Sequence, residues 1–155
     1  MRRKLLFLGC NYDQIPYLEF INKQDWEIVG VDLNKNAPGK LLCDKFHSVG
    51  YDDLIGLVEV GIKEEFTKND MVFTAAAQFA QKGAAHFSDH FGIKFPSEKS
   101  IDLCLDKTAY YEYFSKNNIP IPKTWNIKNE DELKDKVRES KSEWFYLKSD
   151  FSKNP

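Results

Sequence analysis

Four short apolar runs constrain this chain more than anything else in it. They are KLLFL (4–8), EIVGVD (27–32), the weaker DKFHSVG (44–50) and DMVFTAAA (70–77). Each has the length and composition of a buried strand. Helical periodicity lies between or after them. In IPYLEFINK (15–23), Ile15, Leu18 and Ile21 recur at helical spacing, and in DDLIGLVEVGIKEEF (52–66) Leu54, Leu57, Val58 and Ile62 share a face. AQKGAAHFSDHFG (80–92) reads as a helix stopped by Gly92, and SEKSIDLCL (97–105) as one opened by a Ser cap. Strands that alternate with helices need parallel crossovers. The prediction is therefore an α/β fold, an open and mostly parallel Rossmann-like sheet, over residues 1–95.

A connecting helix is expected over 96–105, and from 106 onward the pattern changes. Asp106 caps a helix with Ala109, Tyr110, Tyr113 and Phe114 on its apolar side, ended by Asn117-Asn118 and barred from continuing by Pro120 and Pro122. KTWNI follows as an extended segment. Asn129-Glu130-Asp131-Glu132 is a capping box for a further helix, with Leu133 and Val137 facing inward. EWFYLK (143–148) reads as a strand. A helix–strand–helix–strand piece of this size does not bury both faces of its own sheet. Residues 106–155 are thus expected to be the beginning of a second, α+β domain.

Composition narrows the classes. The net charge of −2 gives no basic surplus for nucleic acid or anionic lipid. The basic start, Arg2-Arg3-Lys4, is followed by an apolar run that stops at Gly9-Cys10-Asn11, too short for a secretory signal and right for a first strand. No apolar stretch reaches membrane-spanning length. Three scattered cysteines, Cys10, Cys43 and Cys104, without a C-x-x-C pair, suggest reduced thiols and a cytoplasmic location.

Several motifs invite chemistry. Gly9 after the first strand and Asp32 at the end of the second resemble a dinucleotide-binding layout, but GCNYDQ supplies one glycine where the fingerprint needs three. The competing reading is a helical turn that packs the sheet or holds a small polar ligand. DLNKNAPG (32–39) has calcium-loop spacing at Asp32, Asn34 and Asn36, yet Ala37 and Cys43 stand where the loop needs Gly and Glu; a type II turn at Pro38-Gly39 explains it better. His86 and His90 are four apart, a spacing zinc can use, but no Glu or Cys completes the site and only His47 or Asp89 could. No metal site is expected. TAAAQ (74–78) places small residues at the carboxyl end of a strand, where open α/β sheets take ligands. The crevice candidates are Gly9, Asn11, Asp32, Thr74 and Gln78.

Lys107 sits in a first helical turn, where the dipole disfavours a cation. Lys148 ends an apolar run. Each is ordinary alone, since solvated lysines are common. Together they could meet one polyanion such as a triphosphate, with the helix amides assisting.

LDKTAYYEYFSKNNIPIPKTW (105–125) resembles the region of ATP-grasp ligases where Asp-Lys opens a helix that ends in Asn-Ile-Pro-x-Pro. FLGCNYDQIPYLEF and IVGVDLNKNAPGKLLCDKFHSV are similar to the pre-ATP-grasp domain of that superfamily, as found in biotin carboxylase and the large chain of carbamoyl-phosphate synthase. The resemblance covers nearly the whole chain. It implies a ligase that uses ATP and Mg²⁺, activates a small carboxylate as an acylphosphate and joins it to an amine. It also implies ATP contacts from Lys107, Lys148 and Ser152, and a homodimer. Two departures stand out. SDFSKNP (149–155) contains no glycine where relatives carry a phosphate-covering loop, and the acidic Mg²⁺ ligands of relatives lie in a later part of their grasp domain. The sequence is therefore expected to be an N-terminal piece, inactive by itself. The alternatives are a non-catalytic binding or dimerisation module and a nucleotide-cofactor (NAD-type) domain.

Overall fold

The computed structural model describes residues 2–22, 24–75, 77–140 and 142–148. The chain divides into two compact units after Ile101.

In the first unit, β1 (Arg3–Leu8), β2 (Trp26–Val31), β3 (Lys45–His47) and β4 (Met71–Thr74) form one parallel sheet in the order β3-β2-β1-β4. Side chains alternate between faces along a strand. Leu6, Leu8, Val29, Val31 and Val72 point to one side, where Leu57 and Val60 of α2 (Leu54–Lys63) and Ala80, Ala84 and Phe87 of α3 (Ala80–Phe91) cover them. Leu5, Phe7 and Ile28 point to the other, against Leu18 of α1 (Ile15–Asn22) and Ala37. Helices on both faces explain why the strands are nearly continuous apolar runs. Phe66 packs edge-on against Phe87, centroids 5.1 Å apart, within the first core. Gly92 ends α3 in the left-handed conformation (φ 67°). The predicted open, Rossmann-like α/β sheet is what forms.

The β3 edge is held by charge. Lys45 Nζ lies 2.8 Å from Glu27 and 2.7 Å from Glu64, and His47 Nε2 lies 2.9 Å from the other Glu64 oxygen. Glu64 follows α2 and is only 8% exposed. Burial works against its charge, but the Lys45 and His47 hydrogen bonds prevail and hold the carboxyl below the usual range.

Two details of the first unit differ from the sequence reading. Ile62 is exposed and Val60 takes the inner position, on the side of α2 that also buries Gly56, Leu57 and Gly61, where Gly61 leaves room for Phe87 and Phe91 of α3. Pro38-Gly39 does not form a type II turn. It opens a 3-10 turn, Pro38–Leu42, and a Cβ on Gly39 would come within 2.9 Å of the Cys10 carbonyl oxygen. Close approach, not positive φ, is what requires glycine there.

α4 (Glu98–Leu105) starts at Ser97, whose Oγ accepts from Ser100 N at 3.3 Å. In the second unit, α5 (Lys107–Lys116) is capped by Asp106, whose Oδ1 accepts from Ala109 N at 3.0 Å. α6 (Glu130–Ser140) is capped by Asn129 Oδ1, which accepts from Glu132 N at 2.9 Å, while the Glu132 carboxylate reaches back to Lys128 N. Neither α5 nor α6 contains a buried residue; Val137, expected inward, is exposed. The strand expected at 143–148 is not formed. Trp144 is 86% and Tyr146 94% exposed, and the sheet contains none of these residues. An apolar run becomes a strand only against a partner strand, and none pairs with it among the described residues.

Candidate functional site

The sheet register sets the site. Leu8 pairs with Val31 on one side and with Thr74 on the other, so β1, β2 and β4 end level. Gly9, Asp32 and Thr74 therefore come together at the carboxyl edge. The connection from β1 runs to β2 on one side, and the one from β3 returns past β1 to β4 on the other, which makes the carboxyl ends of β1 and β4 the switch point of the sheet. Asn11 and Gln78 lie on the flanking segments, both exposed.

The loop after β1 is bonded to itself and its neighbours. Gly9, at φ 92°, turns the chain out of the strand, and its N–H donates to Val31 O at 2.9 Å. Cys10 N donates to Asp32 Oδ2 at 2.7 Å, Asn11 N to Gln14 Oε1 at 3.0 Å, and Tyr12 N to Asn11 Oδ1 at 2.9 Å. Four consecutive amides are thus engaged. A phosphate-binding loop works by pointing such amides at its ligand, and this one does not. Asp32, a candidate for binding a ribose, spends its other oxygen on Asn34 N at 2.8 Å. It ties the β1 loop to the β2 loop.

Gln14 is the residue the sequence reading missed. It is 5% exposed, and its Nε2 donates to Ala75 O at 3.0 Å, bridging the loops after β1 and β4. Both ends of its amide are matched, so its orientation follows from its partners. The Asn-x-x-Gln spacing of NYDQ, a capping box, was the available signal. On the β4 side, the Thr74 hydroxyl is buried and makes no hydrogen bond. A buried hydroxyl without a partner costs free energy, and among the described residues it is the buried side-chain polar atom at this edge that lacks one.

Lys107 is half-buried in the first turn of α5, and Lys148 is exposed beyond α6. Both belong to the second unit. Ser152 lies outside the described residues. Among the described residues no cluster of three or more His, Cys, Asp or Glu is placed to hold a metal. His86 Nδ1 instead pairs with Glu98 Oε1 at 2.7 Å. Among the described residues no helix is long and apolar enough to cross a membrane.

No protein-family profile and no curated protein sequence matches the chain. Solved structures do. N5-carboxyaminoimidazole synthetase from Staphylococcus aureus, complexed with ADP, matches at TM-score 0.73 and 16% identity over 97% of this chain and 39% of its own. Phosphoribosylglycinamide synthetase from Anaerococcus prevotii matches at 0.69 and 18% identity, covering 88% and 34%. L-amino acid ligase from Bacillus licheniformis matches at 0.60 and 13%, covering 90% and 42%. The chain has the fold of the N-terminal region of ATP-grasp enzymes. It spans about a third to two-fifths of their length. At these identities the likeness is one of fold; the site must be argued from its own residues.

Proposed function

We propose that the chain is the front portion of an ATP-dependent carboxylate–amine ligase. In this reading residues 1–95 form the substrate crevice, 96–105 connect, and 106–155 begin the ATP-holding domain. The observation that carries it is the match of nearly the whole chain to an ADP-bound structure of that fold. The order of elements supports it too. A crevice at a switch point is followed by a capped helix with Lys107 in its first turn, then by Lys148 41 residues on.

The reaction would transfer the terminal phosphoryl group of ATP to a carboxylate, and an amine would then displace phosphate from the acylphosphate. Lys107, Lys148 and Ser152 are assigned to the phosphates, where charge neutralisation and positioning do most of the work of phosphoryl transfer. No group of three or more His, Cys, Asp or Glu gathers among the described residues, and no metal step is derived from them. The crevice side chains, Asn11, Thr74 and Gln78, are assigned to the carboxylate substrate, with Gly9 and Asp32 shaping the floor. Because the amides of residues 9–12 are all engaged, we infer a substrate without a phosphate group at this loop, such as an amino acid or another small carboxylate. The same bonds argue against a pyrophosphate cofactor of the NAD type.

Thermal unfolding at millimolar ATP and Mg²⁺ tests the assignment. The expected result is a small upward shift for the unaltered chain that disappears in Lys107→Ala and in Lys148→Ala. Equal shifts in all three would remove the lysines from the site. No phosphate release is expected from the 155-residue chain with any amino acid pair, and steady Mg²⁺-dependent turnover would overturn the front-portion reading.

A further inference from the structure

We propose that Cys10 and Cys43 are a modification site, a dithiol that a hydroperoxide converts reversibly to a disulfide beneath the crevice loop. The two sulfurs lie 4.0 Å apart although 33 residues separate them in sequence. Cys10 is fully buried directly after Gly9, and Cys43 is half-buried at the end of the 3-10 turn 38–42. Both sulfurs lie over Gly30 of β2. A Cβ built there would stand 2.4 Å from Cys43 Sγ and 3.0 Å from Cys10 Sγ, so the pair occupies the room a side chain would fill. The backbone holds the two segments in register, with Gly39 N donating to Cys10 O at 2.8 Å and Cys43 N to Lys40 O at 3.2 Å. A disulfide needs sulfurs about 2 Å apart. Rotation of the half-buried Cys43 toward its partner supplies the approach.

The pair is also chemically unequal. The hydrogen bond to Cys43, with burial, pushes the Cys10 thiol up, while the same hydrogen bond holds Cys43 below the usual thiol range. The thiolate is the nucleophile in such reactions. Cys43, the more exposed and more acidic of the two, reacts first. Its sulfur attacks a peroxide oxygen; an S–O bond forms, the O–O bond breaks, and an alcohol or water leaves with the Cys43 proton. Cys10 sulfur then attacks Cys43 sulfur. The S–S bond forms, the S–O bond breaks, and water leaves with the Cys10 proton. Two thiols are oxidised by two electrons and one peroxide is reduced by two. A small dithiol reverses the change. The bond would fasten the loop that carries Gly9 and Asn11 to the 3-10 turn. None of this depends on what the crevice binds.

The test uses the 155-residue chain carrying Cys104→Ser, which removes the exposed third thiol. Reduced protein is exposed to equimolar hydrogen peroxide, unfolded, alkylated and digested with trypsin. The expected product joins the peptide 5–23 to the peptide 41–45, two hydrogens lighter than their sum, and dithiothreitol restores both thiols. Oxidation of the folded chain is expected to be at least tenfold faster than in urea. Equal rates, a link only between two molecules, or Cys43 sulfinic acid beside a still alkylatable Cys10 would each overturn the proposal. If Cys104→Ser does not fold, the same map on the unaltered chain decides, because Cys104 falls in a separate peptide.

Discussion

The two units solve the burial problem differently. In the first, sheet and helices enclose two cores, one on each face of the sheet, and side chains such as Leu6, Phe7, Leu18 and Phe87 are completely buried. In the second, the helices are well capped and carry ion pairs three or four residues apart, yet neither α5 nor α6 buries a residue. Capping and surface pairs contribute roughly 1 kcal/mol or less each, while burying one large apolar side chain contributes about 1.5–3 kcal/mol. The difference teaches that correct local signals make helices without making a core.

The contrast can be broken most severely by truncation. Phe87→Ala is expected to cost about 3–5 kcal/mol, because it empties a packed site. Tyr113→Ala, on the exposed side of α5, should stay within about 0.5 kcal/mol, as surface changes usually do. Urea midpoints followed by far-ultraviolet circular dichroism measure both, and equal costs would show that the second unit has a core after all.

The site loop offers a finer test. Gln14→Leu keeps the volume of the side chain but strands Asn11 N and Ala75 O, so a loss of about 2 kcal/mol is expected. A neutral result in the same urea series would show that water replaces both bonds.

The smallest expected effect is a slope. The Glu64 carboxyl is held below its ordinary range in the fold. Its contribution is present above the unfolded carboxylate range, about pH 4.3, and is lost as pH falls through the lower folded value. Acid should therefore erode stability less steeply in Glu64→Gln than in the unaltered chain. Urea midpoints from pH 6 to pH 3 give the two slopes, and parallel lines would mean that the Lys45 pair makes no difference.

What was legible in the sequence follows from range. The four strands, their parallel order of connection and the caps at Ser97, Asp106 and Asn129 are written in neighbouring residues, and they form as read. EWFYLK was misread because its composition suits a strand, while strandhood depends on a partner elsewhere. Lys45, Glu27, Glu64 and His47 were overlooked for the same reason: an ion cluster at a sheet edge joins residues that sequence keeps apart. At the carboxyl edge of the sheet, the positions of Gly9, Asp32 and Thr74 could be read from the strand ends. That Asp32 and Gln14 would be spent on the main chain could not, since a carboxylate or amide that binds a ligand and one that staples two loops look alike in one dimension.

The amides of residues 9 to 12 are all taken up inside the protein. A pocket that recognises its guest through main-chain groups can change allegiance only by re-bending its backbone. Here the loop's amides are bonded within the protein, so under the proposed function a change of substrate preference would be written into the side chains of Asn11, Thr74 and Gln78 rather than into the backbone.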